Sequence, residues 1–135
     1  DGSALIFASD RPGGFGGLDL YLSKLGPDGE WGLPENMGPE INTPFNEDRP
    51  FLINGGKKLF FASQGHRNMG GYDIFRSDLQ YNGLWSTPEN IGYPLNNPDD
   101  NIFFCPAENG KAGYVSFTGR EGGAGGADIY RVRFK

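Results

Sequence analysis

The sequence predicts an all-β protein, and three observations support this prediction. Glycine and proline, which are typical of turns, supply 23 and 10 of the 135 residues. Aromatic residues make up 14% of the chain and recur at regular intervals, which argues against disorder. No stretch places apolar residues at helical spacing over the roughly ten residues that a helix needs. The chain is therefore expected to form many short strands separated by turns.

An internal repeat of 54 residues is the most specific feature of the sequence. When residues 4–46 are aligned with residues 58–100 without a gap, 17 of the 43 positions are identical. A partial third copy follows, in which residues 114–118 and 125–130 repeat the second copy at an offset of 55. We therefore expect one domain over residues 1–135. Its three repeat copies span approximately residues 1–46, 47–100 and 101–135.

The first half of the second copy is predicted to be a hairpin. Residues 49–53 form its first strand, and residues 58–63, with large apolar side chains, form its second. Between them lies Asn54-Gly55-Gly56, whose residues readily adopt the positive φ of tight turns. A glycine-rich loop over residues 64–71 follows.

The second half of this copy contains two further extended segments. The third strand is predicted over residues 73–79, and a last segment covers residues 84–91. The turn between them is Asn82-Gly83, with Asp28-Gly29 in the first copy, and both pairs suit a type I′ turn. Pro88 cannot donate a ladder hydrogen bond, so the last segment is expected at the edge of its sheet.

Four antiparallel strands in about 54 residues match the size of one blade of a β-propeller. A single small sheet cannot bury both of its faces, so neighbouring sheets must stack, with Trp31 and Trp85 among the side chains that fill the gaps. The chain holds about two and a half blades, whereas closed rings have roughly four to eight. We expect a partial propeller, excised from a ring of roughly six blades, unless copies of the chain assemble into one.

The recurring motifs also resemble a known family. Residues 5–21, 31–38 and 41–44, and the repeated ends at 70–75 and 125–130, are similar to the WD-like propeller repeat related to the periplasmic TolB protein. The similarity is greatest to the branch found in outer-membrane-associated proteins that also carry tetratricopeptide repeats and OmpA-like peptidoglycan-binding domains. This resemblance implies a location in the periplasm at the outer membrane, other envelope proteins as partners, and contact with peptidoglycan through neighbouring domains.

Composition excludes several classes of function. The net charge of −5 and the scattered basic residues disfavour nucleic acid as a partner. No apolar run approaches the roughly 18 residues of a membrane span, so no direct membrane insertion is expected.

Cys105 lies in an apolar stretch and is predicted to be a small buried hydrophobic residue. His66 has no cysteine or histidine partner at metal-binding spacing, and we expect no cofactor, metal site or catalytic residue.

Asp19, Asp73 and Asp128 recur once in each copy, after a Gly-Gly pair. We expect each carboxylate to accept backbone N–H bonds and to fix the loop before the third strand. A shared metal site is disfavoured, because the three residues would be a blade's width apart. The glycine-rich stretch at residues 13–17 is not a phosphate-binding loop, since residues 18–25 are predicted to be a strand rather than a helix.

We expect the loops between the second and third strands of each copy to form a contact surface, because a radial arrangement of blades would gather them on one rim. The alternative, ordinary solvated loop tips, is equally compatible with the sequence. The candidate residues are Arg11, Phe15, His66, Arg67, Met69 and Arg120. The acidic pairs Glu47-Asp48 and Asp99-Asp100 are expected in solvated loops, because adjacent side chains on an extended chain point to opposite faces.

These observations favour a non-catalytic propeller module, a scaffold that binds other proteins of the cell envelope. A carbohydrate-binding or glycan-cleaving propeller is the alternative. Glycan sites display stacking aromatic side chains together with several carboxylates, whereas most aromatic residues here occupy strand positions.

Overall fold

The structure is a computed structural model that describes residues 2–101, 103–118 and 122–134. Ten β-strands and one short 3₁₀ turn, Glu108–Gly110, make up its regular structure, which confirms the all-β prediction. Among the described residues, none belongs to a helix that is long and apolar enough to cross a membrane. The strands are β1 (Ala4–Ser9), β2 (Asp19–Lys24), β3 (Glu35–Asn36), β4 (Glu47–Ile53), β5 (Lys58–Ser63), β6 (Asp73–Asp78), β7 (Glu89–Asn90), β8 (Phe104–Ala107), β9 (Ala112–Thr118) and β10 (Ala127–Arg133).

The strands form three separate antiparallel sheets. The first sheet contains β1-β2-β3, the middle sheet β4-β5-β6-β7, and the third sheet β8-β9-β10, each in sequence order. Phe61 of β5 lies opposite Phe75 of β6, and Phe7 lies opposite Tyr21 at the corresponding place of the first sheet. The 54-residue offset in the sequence therefore corresponds to the same strand register in two sheets.

The middle sheet differs in detail from the sequence prediction. β4 begins two residues earlier than expected, and a bulge between Asp48 and Phe51 interrupts its register. Arg49, within this bulge, has a φ of 50°. The last segment, predicted over residues 84–91, is an edge strand of two residues, β7, preceded by an isolated bridge from Leu79 to Trp85.

The turn at Asn82-Gly83 is not the type I′ turn that the sequence predicted. Only Gly83 has a positive φ, of 80°, and its N–H donates to the Gln80 carbonyl at 3.0 Å. The Gln80 N–H in turn donates to the Leu84 carbonyl at 2.8 Å. This is the longer hairpin loop in which a left-handed glycine follows a type I turn, and it tolerates an ordinary residue before the glycine.

One face of the middle sheet packs against the first copy. Leu59, Phe61 and Phe75 project from this face, because alternate residues of a strand point to the same side. They form a buried cluster with Leu20 of β2 and with Ile41 from the segment after β3. Partly buried side chains surround this cluster. They are Ile6, Ala8, Met37, Leu52 and Trp85.

The opposite face of the middle sheet packs against the third sheet. Phe60, Ala62 and Ile74 project from it into a second buried cluster. The third sheet contributes Phe104, Val115 and Phe117 to this cluster, together with Leu95 from the preceding segment. The middle sheet is therefore covered on both faces, and the three sheets form a stack. Each fully buried aromatic or branched side chain contributes about 1.5–3 kcal/mol to stability.

The third sheet requires a correction to the sequence alignment. Val115 of β9 lies opposite Tyr130 of β10, as Phe61 lies opposite Phe75 in the middle sheet. β10 therefore corresponds to β6 at the offset of 55 residues that the sequence alignment gave. β9 corresponds to β5 at an offset of 54 residues. The extra residue lies between β9 and β10. The shift matters because moving a strand by one residue exchanges its two faces.

Cys105 is exposed, so the prediction that it is buried was wrong. It lies opposite Tyr114, on the face of the third sheet that points away from the middle sheet. Its neighbour Phe104 points inward and is buried. An apolar run in the sequence cannot distinguish the two faces of a strand when only one of them is covered.

Candidate functional site

The loop between β1 and β2 is fastened to its sheet by Asp19, which is buried at the start of β2. The carboxylate accepts hydrogen bonds from the Phe15 N–H at 2.5 Å and from the Gly16 N–H at 3.1 Å. The side-chain amide of Asn36, in β3, donates to the same carboxylate at 2.9 Å. Asp19 therefore connects the loop, the strand after it and the edge strand.

Asp73 occupies the corresponding place before β6 and is also buried. Its Oδ2 accepts hydrogen bonds from the Met69 N–H and, at 2.9 Å, from the side-chain amide of Asn90. Among the described residues, no group donates to its Oδ1. Asp128 lies in β10 opposite Phe117 and is half-buried.

Two buried asparagines fasten the connecting segments to the sheets. Asn96 accepts the Ile74 N–H at 2.8 Å and donates to the Ile74 carbonyl at 2.8 Å, as a neighbouring strand would. Its amide also donates to Asn90 Oδ1 at 2.6 Å. Asn42 makes the same pair of bonds with Leu20, at 2.7 and 2.9 Å. Asparagine recurs at these two positions of the repeat because its side chain can accept and donate these backbone hydrogen bonds at once.

Glu47 is fully buried, so the prediction that it lies in a solvated loop was wrong. Its carboxylate accepts three hydrogen bonds, from the Thr43 N–H at 2.9 Å, the Thr43 hydroxyl at 2.6 Å and the Ser63 hydroxyl at 2.7 Å. In the next copy the corresponding residue is Asn101, which is also buried and accepts the Asn97 N–H at 2.8 Å. In both copies, the residue at this position of the repeat fastens the segment between two sheets to the beginning of the next sheet.

Replacing Glu47 with alanine is expected to lower the free energy of unfolding by about 2–4 kcal/mol. The change leaves the buried Ser63 hydroxyl and the partly buried donors of Thr43 without an acceptor, and a buried donor without a partner costs roughly 1–3 kcal/mol. Urea unfolding followed by tryptophan fluorescence measures this change. Glu30, which is exposed, provides the control, and Glu30→Ala should stay within about 0.5 kcal/mol. Equal stability of the two variants would contradict the structural role of Glu47.

Tyr72 lies beside these acidic connecting segments, and its backbone N–H donates to Asp100 Oδ1 at 3.0 Å. Partial burial raises the pKa of the Tyr72 hydroxyl, and the carboxylates of Asp48, Asp100 and Glu47 raise it further. A side-chain hydrogen bond with Asn46 acts in the opposite direction. These effects favour the neutral hydroxyl, which can donate a hydrogen bond, over the charged phenolate.

Two of the predicted rim residues lie against aromatic rings of the sheets, and one of them, His66, also bridges two copies. The His66 ring lies 5.8 and 5.2 Å from the ring centres of Phe61 and Phe75, and its Nε2 lies 2.8 Å from the Ile41 carbonyl oxygen. His66 thus connects the middle sheet to the first copy. Arg11 covers the corresponding rings of the first sheet. Its guanidinium lies 5.2 Å from the Phe7 ring and 4.7 Å from the Tyr21 ring.

The other predicted rim residues that the structure describes are accessible. Phe15 and Met69 are about half exposed, and Arg67 is exposed. Arg120 lies outside the described residues. Of the two tryptophans predicted to fill gaps between sheets, Trp85 packs against the first cluster, whereas Trp31 is about half exposed.

Phe45 is an exposed aromatic residue beside the predicted rim residue Phe15, and the sequence analysis missed it. It is more than half exposed and lies in the connecting segment against which the β1–β2 loop packs. The Gly17 N–H donates to the Phe45 carbonyl at 3.0 Å, and a Cβ on Gly16 would come within 2.1 Å of the same oxygen. The contact therefore requires glycine at position 16 and places Phe15 and Phe45 on neighbouring loops. A phenylalanine between Pro44 and Asn46, in an otherwise polar segment, was the available signal.

A groove of about 760 Å³ lies between the middle and third sheets, with Phe60, Leu95, Val132 and Phe134 on its apolar side. The ion pair between Arg76 and Glu89, at 2.7 Å, lies on its polar side. Between the first and middle sheets, the partly buried Trp85 packs against the cluster that contains Leu20 and Ile41.

Over residues 2–101, 103–118 and 122–134, no group of three or more histidine, cysteine, aspartate or glutamate side chains is arranged to hold a metal ion. No protein-family model matches the chain, and comparison with curated proteins and with solved structures gave no match.

Proposed function

We propose that this chain is a section of a β-propeller that acts as a non-catalytic scaffold and binds other proteins. The observation that carries the proposal is the stack of sheets. The middle sheet is covered on both faces, and corresponding residues, Leu20 and Ile74, lie at the two interfaces. Blades of a propeller pack on one another in this repeated manner.

The hydrogen bonds that support the loops recur in the same way. Asp19 and Asp73 each accept a loop N–H and an edge-strand amide, and Asn42 and Asn96 each pair with one backbone residue of a strand. A repeated framework with variable loop tips is the arrangement by which repeat proteins present a binding surface.

The binding surface in this proposal is the rim, which we define as Phe15, Phe45, Arg67 and Met69. Phenylalanine, methionine and arginine are enriched at protein interfaces, because they supply large apolar contacts and directed hydrogen bonds. Buried carboxylates hold the backbone beneath Phe15 and Met69, so binding would cost little ordering of these loops.

The resemblance to TolB-related repeats supports a place in the periplasm at the outer membrane. The partners would then be other envelope proteins, and contact with peptidoglycan would be made by neighbouring domains. On this proposal the chain alone does not sediment with purified peptidoglycan sacculi. A carbohydrate-binding propeller would sediment with them.

Photocrosslinking tests the proposed rim. A photoreactive residue at position 15 or 69, in a periplasmic extract of the parent organism, is expected to capture a discrete protein identified by mass spectrometry. The matched control is position 81, because Tyr81 is fully exposed in the turn before β7 but is not part of the rim. Excess unlabelled chain should reduce the captured amount at least about tenfold. The same excess of a competitor that carries Phe45→Ala should reduce it by a smaller factor, because this competitor binds the partner more weakly.

Two outcomes would contradict the proposal. Equal capture from positions 15, 69 and 81 would mean that the rim has no specific partner. Binding of oligosaccharides or muropeptides by calorimetry, abolished by Phe15→Ala, would replace the protein-binding function with the carbohydrate-binding one.

A further inference from the structure

The two ends of the stack expose side chains whose counterparts inside the stack are buried. We define the leading face as the outer face of the first sheet, with Leu5, Phe7 and Trp31. Leu5 is 49% exposed, whereas Leu59, at the same place of the middle sheet, is 0% exposed. The leading face is thus a sheet face that lacks the neighbour its counterpart has.

The trailing face is the outer face of the third sheet, with Tyr114 and Ile129. Ile129 is 78% exposed, whereas its counterpart Ile74 is 3% exposed beneath the third sheet. Tyr114 is about half exposed, and its counterpart Phe60 is fully buried. A shallow, mainly apolar depression of about 270 Å³ beside Ile129 and Phe103 makes this face concave.

The interior of the molecule shows what such faces bind. Each sheet has a leading side and a trailing side, which correspond to the two end faces just defined. At both internal interfaces, the trailing side of one sheet packs against the leading side of the next sheet. The trailing face of the third sheet is therefore suited to a leading face of the same repeat. A second copy of this chain presents one, with Leu5 and Trp31 uncovered.

We propose that two copies of this chain associate head to tail, with the trailing face of each on the leading face of the other. The two faces differ, so the contact is heterologous and closes only if the rotation between copies completes a ring. Two copies contribute six sheets, which lies within the roughly four to eight blades of closed propellers. This inference rests on the proposed propeller stack and adds a partner to it.

Size-exclusion chromatography with light scattering tests the proposal on the chain as it is. At about 50 μM, a concentration at which a specific interface of ordinary affinity is occupied, the mass should be twice the 14.7 kDa of one chain. A monomer, or an assembly of more than two copies, would overturn the proposal.

Single variants test which faces meet. Ile129→Asp and Leu5→Asp each damage both contacts of a head-to-tail pair, so each variant alone should be monomeric. Tyr81→Asp, in an exposed turn away from both faces, is the control and should remain dimeric. Circular dichroism verifies that each variant is folded. A dimer of either face variant would overturn the head-to-tail arrangement, because it would mean that like faces meet.

A mixture of the two face variants gives an independent result. The Ile129→Asp chain keeps an intact leading face and the Leu5→Asp chain keeps an intact trailing face, so the mixture should recover a dimer through one contact. Failure to recover it would overturn the proposal. The stack itself is tested separately by the unfolding of Phe60 variants, so a monomeric chain with a stable core would reject the pairing of copies and leave the stack intact.

Discussion

Replacing Phe60 with alanine is expected to lower the free energy of unfolding by about 3–5 kcal/mol, the range for a fully buried phenylalanine whose cavity does not collapse. Phe60 is buried between the middle and third sheets, with its ring 5.3 Å from the Phe104 ring and 6.4 Å from the Phe134 ring. Truncation removes contacts with both sheets at once. Urea unfolding followed by tryptophan fluorescence measures the loss.

The matched control for Phe60 is Tyr114, its counterpart in the third sheet, which is about half exposed. Tyr114→Ala should cost less than about 1 kcal/mol when measured at a concentration at which the chain is monomeric, because little apolar area is lost from the interior. If both variants lost the same stability, the third sheet would not cover the middle sheet. The stack, and the propeller proposed from it, would then be rejected.

Replacing Asn96 with aspartate is expected to cost about 2–4 kcal/mol at neutral pH, since a lost buried donor strands an acceptor and a buried charge adds to that cost. The Asn96 amide donates to the Ile74 carbonyl and to Asn90 Oδ1, and a carboxylate repels both oxygens. Part of the loss should be recovered on acidification, because a protonated carboxyl group regains one donor. Unfolding measured at two pH values checks both statements.

The control for this change is Asn82→Asp in the exposed turn before β7. There the side chain only accepts a hydrogen bond, from the Leu84 N–H at 3.0 Å, and aspartate can accept it equally well. The cost should stay within about 0.5 kcal/mol. Similar costs for the two variants would mean that the Asn96 bonds do not hold the connecting segment in place.

Much of the local structure could be predicted because it depends on neighbouring residues. β5 occupies the predicted residues 58–63, and Gly83 and Gly29 lie at the predicted turns with positive φ. The local prediction failed at the Asn82-Gly83 turn. Both the predicted type I′ turn and the observed longer loop place a glycine at this position, so the glycine alone does not distinguish them.

The candidate rim was predicted only in part. Phe15, Arg67 and Met69 were found from their place in glycine-rich loops, and the structure leaves them accessible. His66 shares such a loop, yet the aromatic rings beneath it and the Ile41 carbonyl hold it between two sheets. Phe45 comes from a different segment, and only the contact between the two loops places it beside Phe15.

The repeat, the all-β class and the alternation of side chains along each strand could be read from the amino-acid sequence, because they follow from residue type and spacing. Which of the identical residues are buried depends on the packing of the sheets and could not be read from the sequence. Leu5 and Leu59 have the same side chain in the same strand register, as do Trp31 and Trp85 in the segments before β3 and β7. Only the second member of each pair has a sheet against it, and burial is a property of what lies beside a residue rather than of the residue itself.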